Sequence, residues 1–448
     1  MNLLKKKLLL TILTISLLLL IYTLYKSEII WDGNNRNYYK TYYLISSILI
    51  CFSIITFFLN EKIKQYLIIS GVSLILSLYL FEGYLTFKEQ LSKEQLSKEQ
   101  LSKEQLYEEQ TGKKWDQRNK LDVYKDLKMT SNNTAVSLTI PLKLFFNKNS
   151  NIMPLSAISN SKTIFCNENG YYSIYQSDRY GFNNPDNEWD KKEIEYLLVG
   201  DSFTHGACVN RPNDISSVLR NLSKKTVLNL GMAGNGPLLE YATLKEYMSN
   251  SVKKIIWIYY QNDFYNLKNE LKNEILPKYL NKNFTQNLKL NQYEVDILVK
   301  KLINEEIKKV KIFNENIIFF LKLNKTRSLL NNHLPIDQQP NFKINKFLII
   351  EFIKILNLTK DLIKQNNSEL YFVYLPDYSH YKMNYDNTDY ILVKNIVNEL
   401  KIPFIDIHKE VFVKEQNPLK LFPFELPGHY NIDGYKKVAK TIYKFTKD

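Results

Sequence analysis

A short apolar run that stops at a Gly-Asp-Ser turn constrains the fold of this chain most. Residues 196–199 form the run, and Gly200, Asp201 and Ser202 follow it directly. An apolar run this short, closed by a glycine, predicts a buried strand. Ser202 would then stand at the carboxyl end of a strand, where open α/β sheets bind their ligands. Asp201 or Ser202 could equally serve only as the cap of the following helix.

The same strand, turn and helix pattern recurs down the rest of the chain. Further strands are predicted at 226–229, 255–260, 370–375 and 403–407, and helices at 215–221, 238–248, 347–364, 389–400 and 432–445. This alternation predicts an α/β fold with a parallel sheet covered on both faces. Residues 264–340 break the rhythm and are predicted to form a mostly helical insertion, helical at 294–322, which could be a lid or a plain cover.

Three later blocks place polar residues or glycines at predicted strand ends or before a helix. Residues 229–237 form a glycine-rich loop that includes Gly234. The strand at 255–260 leads into Asn262 and Asp263. His429 lies just before the last predicted helix. Each block therefore falls where a parallel sheet would present side chains or backbone amides to a ligand.

Together with the Gly-Asp-Ser turn, the order of these blocks resembles the SGNH (GDSL-type) hydrolase superfamily, in its membrane-anchored bacterial form. The resemblance covers residues 196–448 and implies a flavodoxin-like, three-layer fold. It implies that Ser202 is the nucleophile and His429 the base that takes its proton. It also implies an oxyanion hole made by the Ser202 backbone N–H, Gly234 and the side chain of Asn262. On its own, Asn262 could be a turn residue.

Two positions depart from the family pattern. Leu426 stands three residues before His429, where the family usually has an aspartate. Glu425 or Asp406 could orient His429 instead. Alternatively, the site could be a Ser–His dyad in which a backbone carbonyl orients the ring. Tyr260 stands where the third block usually has glycine, which could reshape the floor of the pocket.

Other polar residues near the blocks have weaker assignments. Asp201, Asp263 and His205 are predicted to support the site, and His205 is also the rival base because it lies three residues after Ser202. The remaining histidines are interpreted as surface or structural residues: His333, His380 and His408. Thr204 takes the place of the second glycine of a Gly-x-Ser-x-Gly elbow, which disfavours an α/β-hydrolase.

The N-terminal region is predicted to be a membrane region covering residues 1–87. Three apolar segments, at about 8–24, 42–59 and 66–85, approach the length needed to cross roughly 30 Å of hydrocarbon. The first could instead be a signal sequence, although no small-residue cleavage site follows it. Glu82 would lie at the membrane interface. The distribution of positive charges favours a cytoplasmic N-terminus, so three crossings would place the rest of the chain outside the cytoplasm.

Between the membrane region and the predicted sheet lie two further segments. Residues 88–130 contain KEQLS repeats with Glu-to-Lys pairs four residues apart, which predict a charged, solvated helical stalk. The stalk could set the reach from the membrane or be a tolerated repeat expansion. Residues 131–195 are predicted to be a small β and irregular segment with a strand at 135–140. Its part at 166–185, which is rich in Asn, Gly and Tyr, could form a lip on the active site or an edge strand with loops.

Composition excludes few functions. The net charge is +14, which we attribute to a Lys- and Asn-rich coding bias, because no basic nucleic-acid-binding motif is present. Cys166 and Cys208 could pair in an oxidising compartment, but the three cysteines, with Cys51, are predicted to be free thiols. No zinc-ligand spacing and no Walker or dinucleotide fingerprint occurs, so no metal or cofactor is expected.

The resemblance implies a multi-pass protein of the cell (inner) membrane with an extracytoplasmic serine esterase domain. The expected reaction is removal of O-acyl groups, most often O-acetyl groups, from a glycan or lipid. One alternative is an O-acyltransferase that works with a membrane partner protein. The other is a non-catalytic glycan-binding or assembly module, which the missing aspartate would favour. No nucleic-acid partner is expected.

Overall fold

The structure is a computed structural model that describes residues 2–30, 36–131, 133–137, 152–249, 251–312, 320, 323, 325–326, 344–381 and 385–447. The chain divides into two compact units. The first contains the described residues of Met1–Leu91 and Asn316–Leu334, and the second those of Ser92–Glu315 and Pro335–Asp448. The predicted strand at 135–140, the insertion 264–340 and His333 lie partly or wholly outside the described residues.

The first unit consists mainly of helices, in the order α1 (Asn2–Leu24), a π-helical turn (Tyr25–Ile30), α2 (Arg36–Phe58) and the first part of α3 (Glu61–Thr111). Helices α1 and α2 pack against each other. Among the described residues, only Glu61–Lys88 is a helix long and apolar enough to cross a membrane, and a shorter apolar helix covers Tyr42–Thr56. The prediction of three membrane spans is therefore not confirmed.

Glu82 has a defined role inside the first unit. Its side chain is buried and accepts hydrogen bonds from the Thr326 backbone N–H at 2.8 Å, the Thr326 hydroxyl at 2.7 Å and the Lys325 backbone N–H at 2.9 Å. A buried carboxylate needs such donors, because an unpartnered charge is costly to bury. Part of the segment predicted as an insertion thus belongs to the helical unit rather than to the sheet.

Helix α3 continues without a break from the apolar segment through the KEQLS repeats to Thr111. The prediction of a helix across the repeats is therefore right, although side chains 89–102 lie outside the described part. The domain predicted as a charged helical stalk at 88–130 is not one continuous helix, since α3 ends at Thr111 and the next helix begins at Lys120. Trp115 is buried, and α4 (Lys120–Thr130) buries Val123 and Tyr124 against the small sheet described next.

The lead-in segment forms a three-stranded sheet of β1 (Thr134–Val136), β2 (Lys162–Ile164) and β3 (Ile174–Gln176). Strands β1 and β2 are parallel, whereas β2 and β3 are antiparallel. Strand β1 thus begins one residue before the predicted strand at 135–140, and its predicted end lies outside the described residues. A short 3₁₀ helix at Asp186–Asp190 leads into the main sheet.

The second unit is built on a five-stranded parallel sheet with the spatial order β5-β4-β6-β7-β8. Its strands are β4 (Ile194–Gly200), β5 (Val227–Asn229), β6 (Val252–Tyr260), β7 (Glu369–Leu375) and β8 (Phe404–Asp406). This is a doubly wound order, in which the second strand along the chain, β5, lies at the edge and the first, β4, lies next to it inside the sheet. The predicted α/β fold with a parallel sheet is therefore confirmed.

Helices and 3₁₀ turns connect these strands. The α-helices are α5 (Ser202–His205), α6 (Ile215–Ser223), α7 (Pro237–Tyr247), α8 (Asp263–Glu270), α9 (Gln292–Ile312), α10 (Lys346–Gln365), α11 (Thr388–Glu399), α12 (Ile407–Glu410) and α13 (Ile432–Thr446). The 3₁₀ turns are Leu276–Leu280, Tyr378–Tyr381, Phe412–Lys414, Pro418–Leu421 and Pro423–Glu425.

Alternate residues of β4 point into two different cores, as the two-residue period of a strand requires. Leu197 and Val199 pack into one core, with residues of α7, α8, α10 and α11. Tyr196 and Leu198 pack into the other, with residues of α6 and α13. Every residue of β4 is buried, and all of them except Glu195, which pairs with Lys254, are apolar or glycine, which is why the sequence signal was so clear. The result is the predicted three-layer arrangement.

The first part of the predicted insertion belongs to the core of the second unit. Four of its apolar side chains are almost fully buried there, namely Leu276, Tyr279, Leu288 and Val295. Glu246 of α7 holds this segment against the second unit's core. It accepts hydrogen bonds from the Tyr279 hydroxyl at 2.7 Å and from the Leu288 backbone N–H at 2.9 Å. This part is therefore a fixed helical cover rather than a lid.

The prediction of three free thiols is wrong for two of them. Cys166 and Cys208 form a disulfide across 42 residues of sequence, whereas Cys51 is free and exposed. Their Cα atoms lie 4.9 Å apart, within the usual range for a disulfide. Spacing alone could not predict the pair, because the two residues approach only when β4 and β2 are both in place.

We expect thiol titration of the denatured full chain to detect one thiol without reductant, namely Cys51, and three after reduction. The physical reason is that a formed disulfide removes Cys166 and Cys208 from the titration. A Cys51→Ser variant provides the control and should give none without reductant. Detection of three thiols in the unreduced protein purified from an oxidising compartment would contradict the disulfide.

Candidate active site

Ser202 is presented by the turn that ends β4. Gly200 ends the strand and Ser202 begins the short helix α5. The Asp201 carboxylate accepts a hydrogen bond from the Phe203 backbone N–H at 2.9 Å, so Asp201 is the cap of this helix. Gly206 then ends the helix in the left-handed conformation. The capping interpretation therefore holds for Asp201 and leaves Ser202 free for another role.

His429 lies on the loop before α13 and directly contacts Ser202. Its Nε2 is 2.8 Å from the Ser202 Oγ. The side chain of Asn431 caps α13 by accepting from the Gly434 backbone N–H, which fixes where the helix begins. The ring of Phe203 packs 4.7 Å from the His429 ring. Two residues that are 227 positions apart are thus brought into hydrogen-bond contact at the mouth of the sheet.

A carboxylate that sequence reasoning missed holds the other side of His429. Glu168 Oε1 is 2.9 Å from the imidazole Nδ1, and Glu168 Oε2 accepts the His429 backbone N–H at 2.7 Å. An N–H on Nδ1 that donates to Glu168 leaves Nε2 as the acceptor for the Ser202 hydroxyl. The three side chains therefore form a Ser–His–Glu relay of the kind that activates a serine.

The electrostatics of this pair are reciprocal. Burial acts to lower the pKa of His429, but the neighbouring Glu168 charge and hydrogen bond outweigh burial, so the pKa of His429 is raised. Burial likewise acts to raise the pKa of Glu168, yet the His429 interactions prevail and lower it. The side chains keep 25% and 21% of their surface exposed, which leaves the relay accessible to a substrate.

The disulfide and a close loop contact position Glu168. Cys166 is two residues before Glu168, and Cys208 is six residues after Ser202, so the disulfide ties the acid to the serine turn. The Asn169 side-chain amide also donates to the Cys208 carbonyl at 2.9 Å. A Cβ at Gly428 would lie 2.7 Å from Glu168 Oε2, so glycine there permits the approach.

Neither acid predicted to orient His429 reaches it. The Glu425 carboxylate accepts from the Asn417 side chain at 3.0 Å. Asp406 accepts from the Tyr390 hydroxyl at 2.6 Å and from Lys394 Nζ at 3.1 Å. The usual position, Leu426, has no carboxylate, and the lead-in segment supplies one instead. Both interpretations of residues 166–185 hold in part, because the turn around Glu168 lines the cavity while Ile174–Gln176 forms an edge strand.

The residues predicted for the oxyanion hole are only partly brought together. A cavity of about 420 Å³ is lined by Glu168, Ser202, Phe203, Tyr260, Asn262, Asp377, Tyr378, Ser379, Pro427, Gly428 and His429. Asn262 thus shares the cavity with Ser202 and His429, and its side chain makes no capping bond to α8. Gly234 is not among the residues that line the cavity, although its loop lies beside the serine turn.

Buried polar residues hold that glycine loop in place. The Ala233 backbone N–H donates to Nδ1 of His205 at 3.3 Å, and the other ring nitrogen of His205 contacts the Tyr175 hydroxyl at 2.9 Å. Burial lowers the pKa of His205 to about 3, so its ring stays neutral. With both nitrogens engaged away from Ser202, His205 supports the loop and is not the rival base.

Tyr260 and Asp263 shape the floor of the cavity. The Asp263 carboxylate accepts from the Tyr260 backbone N–H at 3.0 Å and is fully buried, which raises its pKa well above the usual range. The Tyr260 hydroxyl donates to Asp377 at 2.6 Å. Tyr260, at the position where the resemblance implies a glycine, therefore lines the cavity and fixes a carboxylate on its wall.

One group of potential metal ligands occurs among the described residues, formed by Glu168, Cys208 and His429. The Cys208 sulfur is already bonded to Cys166, and a disulfide sulfur is not the thiolate that binds metals. The other two side chains are engaged with each other and with Ser202. We therefore assign no metal to this group.

No protein-family model matches the sequence, and no curated protein sequence matches it either. Among solved structures, the chain is similar to a lipolytic G-D-S-L family protein from Desulfitobacterium hafniense DCB-2, with 12% identity and a TM-score of 0.33. It is also similar to the acetyl xylan esterase AlAXEase, with 12% identity and a TM-score of 0.31. A GDSL-like lipase from Bacteroides ovatus ATCC 8483 has 10% identity and a TM-score of 0.29.

These alignments cover 56%, 56% and 57% of this chain and 99% of each of the other chains. Their TM-scores are too low to carry an argument about function. The strand order and the placement of the serine, asparagine and histidine blocks around one cavity support the resemblance directly. The fold is thus α/β with a parallel sheet, and three of the four predicted blocks, those of Ser202, Asn262 and His429, line one cavity.

Replacing Glu168 tests the orienting acid. We expect Glu168→Gln to lower kcat by up to roughly 10⁴-fold, the loss found when the acid of such a triad is neutralised. Because the Glu168 charge raises the pKa of His429, its loss should also move the acidic limb of the pH–rate profile to lower pH. Hydrolysis of 4-nitrophenyl acetate across pH would measure both.

Glu425→Gln is the matched control, since it removes the same charge from an exposed position that sequence reasoning favoured. It should leave kcat within about twofold, because exposed charges contribute little. A loss of activity in Glu425→Gln together with normal activity in Glu168→Gln would reverse the assignment.

Proposed function

We propose that this protein is a membrane-attached serine esterase that removes O-acyl groups from an extracytoplasmic glycan or lipid. The observation that carries the proposal is the contact of Ser202 Oγ with His429 Nε2 at 2.8 Å, completed by Glu168 and open to a cavity. A non-catalytic module would have no need for a serine, a base and an orienting acid that are hydrogen-bonded to one another in that order. The missing aspartate, which favoured that alternative, is replaced by Glu168.

The first half of the reaction forms an acyl-enzyme. His429 Nε2 takes the Ser202 hydroxyl proton while Oγ attacks the carbonyl carbon of the ester. The negative oxygen of the tetrahedral intermediate is stabilised by donors such as the Ser202 backbone N–H and the Asn262 side-chain amide. The bond to the alcohol oxygen then breaks, and His429 gives its proton to that oxygen. The alcohol leaves and the acyl group stays on Ser202.

The second half returns the enzyme to its starting state. Water attacks the acyl carbonyl and passes a proton to His429, which delivers it to Ser202 Oγ as the ester bond to the serine breaks. The free acid leaves. An alcohol in place of this water would make the protein an acyltransferase, so the two activities differ only in what enters the cavity at this stage.

The cavity and the disulfide support the substrate side of the proposal. Among the described residues, the lining includes the carboxylates of Glu168 and Asp377 and no lysine or arginine, which favours an uncharged ester over an anionic one. At about 420 Å³ the cavity is near the lower end of ligand sites, which favours a small acyl group. The Cys166–Cys208 disulfide favours an oxidising, extracytoplasmic compartment.

The experiment compares the full chain with Ser202→Ala and His429→Ala. We expect hydrolysis of 4-nitrophenyl acetate by the wild type and only the background rate in both variants, because each variant removes a reacting group. A fluorophosphonate should label the wild type at Ser202. A folded wild-type protein that neither hydrolyses the ester nor takes the label would contradict the esterase proposal and favour a binding module.

Asn262 gives a second prediction. If its amide donates to the oxyanion, Asn262→Ala should lower kcat by about 10²–10³-fold, as loss of one such donor does elsewhere. Asn283→Ala is the control, since it removes an exposed amide far from the cavity lining. Equal kcat values for the two variants would show that Asn262 is only a turn residue.

A further inference from the structure

The last two turns of α3 lie against the loop that carries His429, within the second unit. Lys103 Nζ donates a hydrogen bond to the Pro427 carbonyl at 2.9 Å, and Pro427 is two residues before His429. The contact joins residues 324 positions apart. The bond is exposed but charge-assisted, and it ties α3 to an otherwise irregular loop.

One turn further along α3, Tyr107 packs against the segments on both sides of the relay. Its ring meets Phe424 edge-on with centroids 6.2 Å apart, and Trp115 edge-on at 5.7 Å. It also covers Gly170, where a Cβ would come within 2.3 Å of the Tyr107 ring. Tyr107 therefore touches the loop that leads to His429 and the turn that carries Glu168.

The turn after α3 strengthens the same arrangement. The Asp116 backbone N–H donates to the Gly170 carbonyl at 2.9 Å, and the Asn167 side chain donates to the Asp116 carbonyl at 3.0 Å. The Glu168 turn is thus held on one side by the disulfide and on the other by residues that follow α3. The repeat-bearing helix is part of the framework that supports the relay.

The charge of Lys103 also reaches the relay. It acts on Glu168, where it lowers the pKa, and on His429, where it lowers the pKa in opposition to Glu168. The charged and titratable groups that act on His429 are Glu168, Asp201 and Lys103. Lys103 is therefore placed to influence both the position of the histidine loop and the charge balance around the imidazole.

We propose that Lys103 and Tyr107 make the end of α3 a positioning element of the active site, with Lys103 holding the Pro427 carbonyl so that His429 stays aligned with Ser202 and Glu168. This inference rests on the proposed esterase function for its kinetic consequences. It assigns the helix a role beyond that of a spacer, because the residues nearest its C-terminal end take part in shaping the catalytic loop.

The test compares Lys103→Met and Lys103→Arg in the full chain, with Lys114→Met as the matched control. Lys114 is exposed, so its substitution removes the same charge from the same region. We expect Lys103→Met to lower kcat for 4-nitrophenyl acetate at least fivefold, with KM changed less than twofold. Lys103→Arg, which keeps the charge and the donors, should recover most of the rate, and Lys114→Met should resemble the wild type.

The pH profile separates this role from a general loss of packing. If Lys103→Met lets His429 move away from Glu168, it weakens the contact that raises the pKa of His429, so the acidic limb should move to lower pH in Lys103→Met and stay in place in Lys103→Arg. Loss of the Lys103 charge alone, with the loop still in place, would move the limb to higher pH instead. The proposal would be overturned if Lys103→Met had the same kcat and the same acidic limb as Lys114→Met. It would also be overturned if Lys103→Arg and Lys103→Met lowered kcat equally.

Hydrogen exchange keeps the test independent of activity. The His429 backbone N–H donates to Glu168, so the peptide around 424–431 should exchange at least fivefold faster in Lys103→Met than in Lys114→Met. If the wild type hydrolyses no ester, the proposed function fails, while the exchange comparison still decides the positioning role. Equal exchange in the two variants would overturn that role.

Discussion

The hydrogen-bonded pair of Glu168 and His429 is the interaction on which the site depends. Burial alone would keep both groups neutral, since a charge loses its hydration when it leaves water. Each group instead stabilises the charged form of the other, and the Glu168 carboxylate holds the imidazole by Nδ1 and by the backbone N–H. The imidazole ring is thereby fixed with Nε2 toward Ser202. Without this pair, the serine would have a base of undefined tautomer and orientation.

Much of the second unit can be understood as support for that pair. The sheet places Ser202 at a strand end, and α13 fixes the end of the His429 loop. The disulfide brings the Glu168 turn to the serine helix, so a covalent bond supplies an acid that the usual position, Leu426, does not. The end of α3 then closes the arrangement through Lys103. Four separate parts of the chain thus contribute to the position of the His429 ring.

Tyr260 organises one wall of the cavity. Its ring packs 4.3 Å from Phe203, and its hydroxyl fixes Asp377. A second bond ties Asp377 to Ser379, so this wall is held before any ligand arrives. In the proposed reaction, such preorganised acceptors would act on the choice of substrate rather than on the Ser–His–Glu relay.

The sequence by itself determined the parallel sheet and the positions of Ser202 and His429 as candidate site residues. Each depends on a local signal, namely an apolar run that predicts a buried strand, a glycine turn or the start of a helix. Glu168 was decided only by the tertiary structure, since an acid is recognised by what it touches, and Glu168 lies 261 residues from His429 along the chain. The disulfide, the neutral role of His205 and the contact of Lys103 with Pro427 are of the same kind. Their local sequences are compatible with several roles, and only the packing of distant segments selects one.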